Sequence, residues 1–160
     1  MAVRAAGIEV GPAIYAGVTA GVVAAVAQIA LWSIFTDALP AIFFRDSRFA
    51  AAIIMGRGVL TPPASFDGQV MLVATLVHFA LAVFYGLILV RFVAGLGIAA
   101  SLLAGSGFGL VLYAINMYGF TAVFPWFASS RDWITAVTHV VFGVALAGAY
   151  RVAAGFGPGR

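Results

Sequence analysis

The 160-residue chain contains no cysteine and no lysine. Without cysteine there is no disulfide framework, no zinc–thiolate site, no thiol nucleophile and no attachment point for a c-type haem. Without lysine, all eight basic residues are arginines, and the net charge of +3 rests on a few placed guanidinium groups. Nucleic acid binding needs a basic stripe making many contacts, and none is present. Charge of either sign is scarce, 8% of residues against about 25% in a soluble domain. The chain is 64% hydrophobic with a mean hydropathy of +1.15, more apolar side chain than a globule of this size hides from water. Its solvent is a bilayer.

Catalytic motifs are missing as well. There is no glycine-rich phosphate loop, no His-Glu-x-x-His, no nucleophile elbow and no cluster of carboxylates. Gly56-Arg57-Gly58 lacks the lysine and flanking glycines of a phosphate site. No catalytic residue is expected, and the chain reads as a non-enzyme.

Four apolar runs remain, each near the about 20 residues that a bilayer requires of a helix. They cover residues 12–35, 69–90, 95–120 and 133–150. In lipid each must be helical, because every backbone N–H and C=O has to be satisfied within its own segment. The first run continues through Ile29, Leu31 and Trp32, which a cleaved signal peptide would not do, so a retained first helix is expected. The connection between the first two runs is the one sizeable extramembrane piece. Its residues 41–55 follow Pro40 and precede Gly56, the punctuation of a helix. Ile42, Phe49 and Ile53 share one face, interrupted by Asp46, and the expectation is a helix lying on the membrane interface.

The runs pair into a repeat. Gly17-x-x-x-Gly21-x-x-x-Ala25 in the first corresponds to Ser101-x-x-x-Gly105-x-x-x-Gly109 in the third. Small residues four apart let a neighbouring backbone approach closely. The second and fourth runs each follow an aspartate, carry a histidine and end at an arginine: His78 before Arg91, His139 before Arg151. The expected fold is therefore all-α, a single transmembrane domain over residues 1–160. It is a four-transmembrane-helix bundle of two tandem hairpins plus an interfacial helix in the first loop. Short links make the second and third helices, and the third and fourth, antiparallel neighbours.

Val77-His78-Phe79-Ala80-Leu81, Leu103-Ala104-Gly105, Phe124-Pro125-Trp126 and Thr138-His139-Val140-Val141-Phe142 resemble the YagU-type family of small bacterial inner-membrane proteins, over about half of the chain. The resemblance implies a multi-pass inner-membrane protein and supplies no catalytic residues. The first connection departs from the family pattern. Arginines divide evenly between the two sides, while Asp37, Asp46, Asp67 and Asp132 and the tryptophans Trp32, Trp126 and Trp133 gather on one. That asymmetry favours cytoplasmic termini, with the tryptophans as the aromatic belt of the opposite face.

All thirteen charged residues lie outside the runs or at their edges, which removes the usual hardware of ion pathways. The polar interior is Gln28, His78, Asn116 and His139, one residue per run. His78 and His139 lie roughly 13 Å and 9 Å from the same membrane side at 1.5 Å per residue. Three functions fit. The leading one is an accessory or scaffolding subunit of a larger membrane complex, or a homo-oligomer, packing through Gly17, Gly21, Gly105 and Gly109. The second is a binding or transport module for a small neutral molecule or lipid, with a pocket between the repeats lined by the polar four. The third is an electron-transfer subunit with a b-type haem between the histidines. No other cofactor or metal is expected; the expected partners are membrane lipids and other membrane subunits or a second copy of the chain.

Overall fold

A computed structural model describes residues 10–155. Arg4, Glu9 and Arg160, and with them the two termini, lie outside the described residues. The described chain is all-α, without a strand: α1 (Val10–Phe35), α2 (Ala41–Met55), α3 (Gly68–Val93), α4 (Ile98–Ala114) and α5 (Trp133–Gly155). Helix α4 continues through a π-turn at Ile115–Gly119 and a 3₁₀ turn to Ala122. With that extension, four helices are long and apolar enough to cross a membrane. The protein is a multi-pass four-helix bundle.

Helix ends follow local chemistry. The Asp67 carboxylate accepts from the Gln69 and Val70 amides at 3.0 and 3.1 Å, and Asp132 accepts from the Thr135 amide at 2.8 Å. These side chains satisfy donors that a first helical turn leaves orphaned. At the opposite end, Arg151 Nη1 donates to the Ala94 carbonyl at 3.2 Å, just past α3. Gly56 closes α2 with φ at +80°, the left-handed region that favours glycine, and its N–H reaches the Ala52 carbonyl. The third span begins at Ile98, later than the expected 95, because Gly97 is extended and its carbonyl starts the helical ladder. Helix α5 runs a turn past the expected 150, to Gly155.

Helix α1 packs between α3 and α5, and α5 packs between α1 and α4. The buried face of α1 is almost entirely small: Ala13, Ala16, Gly17, Ala20, Gly21 and Ala24. A β-carbon on Gly17 would lie 2.7 Å from the Val83 Cα, and one on Gly86 3.0 Å from the Ala13 carbonyl oxygen. The second hairpin uses the same device: added β-carbons on Gly105 and Gly109 would run into the carbonyls of Gly143 and His139. Gly17 and Gly21 thus seat α3, and Gly105 and Gly109 seat α5. All four are taken up inside the chain.

Three expectations change. Helices α3 and α4, although joined by a short link, touch only sparingly. Helix α2 forms over the expected residues, but its Ile42–Phe49–Ile53 face does not lie free for lipid. Phe49 is buried, its ring 6.0 Å from that of Phe127, and its carbonyl accepts from Trp126 Nε1 at 3.1 Å. The chain packs α2 onto α3 and onto the 3₁₀ turn Pro125–Ser130. The tryptophans likewise divide: Trp32 is buried, Trp126 holds α2, and Trp133 alone is mostly exposed, edge-on to Phe35.

Candidate functional site

Helices α1, α2, α3 and α5 and the π-turn bound a cavity of about 230 Å³. Gln28 reaches it from α1, His78 from α3, Asn116 from the π-turn and His139 from α5. The four interior polar residues singled out in the sequence therefore line one space. Each sits on a helical face shared with apolar lining: Ala24, Ala25 and Gln28 on α1; Val77, His78, Leu81, Ala82 and Tyr85 on α3; Thr135, Thr138, His139 and Phe142 on α5. Those spacings of three, four and seven residues keep one stripe on one face.

A hydrogen-bonded chain crosses the cavity wall. Tyr85 Oη donates to Asn116 Oδ1 at 2.9 Å, and Asn116 Nδ2 lies 3.2 Å from His139 Nε2. His139 Nδ1 lies 2.8 Å from the Thr135 carbonyl, an acceptor only. Nδ1 must therefore carry the proton, and Nε2 must accept from the Asn116 amide, which fixes the neutral Nδ1–H tautomer. Asn116 is the second residue of the π-turn Ile115–Gly119, which the Phe120 amide closes on the Ile115 carbonyl. Such turns concentrate at functional sites. The Met117 carbonyl in the same turn accepts from Arg131 Nε at 2.6 Å, with the guanidinium 4.6 Å from the centre of the Tyr118 ring.

The two histidines, equivalent in the repeat, behave differently. His78 Nε2 is 3.1 Å from the Gly21 carbonyl of α1, so it carries a proton and donates. The absent side chain at Gly21 admits the imidazole: a β-carbon there would lie 3.2 Å from Nε2. Both nitrogens of His139 and the Nε2 of His78 are thus engaged by protein atoms. A haem iron between them would have to break these bonds first. Among the described residues, no group of three or more His, Asp or Glu side chains is placed to hold a metal ion.

Helix α2 closes the cavity with Asp46, Ala50 and Ile53. The carboxylate that interrupts the apolar face is the one that points inward. Arg45 Nε and Nη2 each lie 2.8 Å from Asp46 Oδ1, and Ser130 Oγ donates to Oδ2 at 3.3 Å. Burial pushes the Asp46 carboxyl above the ordinary carboxylate range, with help from the charge of Asp132; Arg45 and Ser130 pull against that rise. A larger hollow of about 530 Å³ lies on the other side of α2, lined by Asp37, Arg45, Arg48 and Leu60. Its two arginines already have protein partners: Arg45 serves Asp46, and Arg48 donates to the Val59 and Ser65 carbonyls at 2.7 and 3.0 Å.

Asp46, Tyr85, Ser130, Thr135 and Thr138 complete the polar lining, and sequence reasoning passed over them. The signals were present: Tyr85 lies seven residues after His78, and Thr135 lies four before His139. No known protein family model matches the chain, and neither a curated protein nor a solved structure does.

Proposed function

We propose that this protein is a membrane-embedded binding module for a small, uncharged molecule, held in the cavity bounded by α1, α2, α3 and α5. The observation that carries the reading is convergence: polar residues from α1, α3, the π-turn and α5 meet in one space whose remaining lining is mostly apolar. Binding sites in membrane bundles have this composition, an apolar pocket with a few placed polar groups. The volume of about 230 Å³ lies between an engineered cavity of about 150 Å³ that takes benzene and the roughly 300 Å³ at which drug-sized pockets begin. It suits a molecule of about one substituted ring.

The scaffolding alternative rests on small-residue stripes. Because Gly17, Gly21, Gly105 and Gly109 seat the chain's own helices, they offer nothing to a partner. Exposed Leu72, Leu76, Leu103 and Val111 are what lipid contact alone requires. In this reading no chemical step occurs on the bound molecule. The protein resides in a bacterial inner membrane as the YagU-type resemblance implies, with α2 and the aspartates Asp37, Asp46, Asp67 and Asp132 on the side away from cytoplasmic termini.

Mass spectrometry of the intact protein released from lipid nanodiscs tests the reading. A retained small molecule is expected on the wild type and absent from Ala25→Phe, which places a ring in the cavity. An identical complement of bound species on both proteins counts against it.

A further inference from the structure

Inside the cavity one hydroxyl has no partner. Thr135 is 4% exposed, it lines the cavity, and its Oγ1 makes no hydrogen bond among the described residues. The reason is its place in α5. Thr138, one turn on, donates to the Ile134 carbonyl at 2.8 Å, the usual outlet for a threonine within a helix. The corresponding carbonyl for Thr135 belongs to Arg131, which precedes the helix at φ −81° and ψ 74° and offers no helical acceptor. A buried hydroxyl left this way is costly, and native structures rarely keep one without a purpose.

Gln28, on the α1 wall of the same cavity, makes no side-chain hydrogen bond among the described residues either. A hydroxyl and a primary amide each donate and accept, so together they suit a group that does both. The lining adds no free charge: Asp46 is engaged by Arg45 and Ser130, and His139 is fixed neutral by its two partners. Phe120, Phe127 and Phe142 supply the apolar remainder. A charged head group would enter such a space without compensation.

We infer that the ligand is a ring-sized, uncharged alcohol or phenol whose hydroxyl is bound by Thr135 Oγ1, with the Gln28 amide as the second polar contact. This rests on the cavity reading above and adds the chemistry of the head group.

Fluorine NMR with 4-fluorophenol and fluorobenzene separates the two claims, using protein in nanodiscs and protein-free nanodiscs to correct for partition into lipid. Thr135→Val keeps the shape and removes the hydroxyl. Wild type is expected to bind fluorophenol about five- to tenfold more tightly than Thr135→Val, the worth of one net hydrogen bond. Fluorobenzene should bind both proteins equally, and Thr135→Ser should restore fluorophenol affinity. A purely structural role for the hydroxyl would move neither probe selectively. Equal fluorophenol affinity in wild type and Thr135→Val overturns the head-group assignment while leaving the cavity. Failure of both probes to bind, or equal binding to Ala25→Phe, overturns the cavity reading with it.

Discussion

Replacing Gly143 by alanine tests the close crossing of α4 and α5. The added methyl would collide with the Gly105 carbonyl oxygen and come within 2.9 Å of the Gly105 carbonyl carbon and the Gly109 nitrogen, where ordinary contact begins at 3.4 Å. All three atoms are backbone, so no side chain can rotate away and α4 must shift. Over-packing of this kind costs about 1–3 kcal/mol. A gap of even 0.5–1 Å elsewhere along the crossing also forfeits about a quarter to a half of each dispersion contact. Alanine's better helix propensity returns about 0.5–1 kcal/mol. The expected net loss is about 2 kcal/mol, or on the order of 4–8 °C in Tm for a chain of this length. Gly107, on the same helix as Gly105, has nothing within 4 Å of a built β-carbon, so Gly107→Ala should leave Tm unchanged or slightly raised. Thermal unfolding of both variants in one detergent is the assay. Equal melting would refute the claim that the glycine stripes serve contacts within the chain.

Tyr85→Phe leaves Asn116 Oδ1 without its donor and should lower stability by about 1–2 kcal/mol, while Tyr113→Phe, which takes no part in that chain of hydrogen bonds, should cost less in the same melt. Asp46 gives a pH dependence whose sign follows from its raised carboxyl pKa: between the ordinary 3.8 and its folded value the native state holds the proton that the unfolded chain has lost. Stability therefore falls as pH rises through that window and is level above it; Asp46→Asn should flatten the slope, and an unchanged slope would show that another group sets it. Nitrogen-15 NMR should find His139 as the Nδ1–H tautomer and His78 protonated at Nε2, and a reduced-minus-oxidised spectrum should show no b-type haem band; such a band would mean that the imidazoles exchange these partners for iron.

The spans were legible because hydropathy and length alone decide what crosses a bilayer, and the aspartates and Gly56 marked helix ends by local chemistry. The pairing of Gly17 and Gly21 with α3, and of Gly105 and Gly109 with α5, was half legible: the stripes were visible, but whether a stripe meets its own chain or another is a tertiary fact. Asn116 stood out, yet the π-turn that carries it did not, since a change of hydrogen-bond register leaves no mark in hydropathy. Asp46 looked like a flaw in an amphipathic face because that face was assigned to lipid; turned toward protein, it becomes the carboxylate that α2 contributes to the cavity. Thr135 was hidden by its ordinariness, a threonine in an apolar helix whose hydroxyl normally bonds to its own backbone.

The most direct test of the central claim is a density map of the protein purified from its native membrane, at a resolution that shows side chains. Density is expected for one ring-sized molecule in the space bounded by Gln28, His78, Asn116 and His139, with a polar end at Thr135 Oγ1. A cavity filled by the side chains of Phe120 and Phe142, or holding water alone, would contradict it.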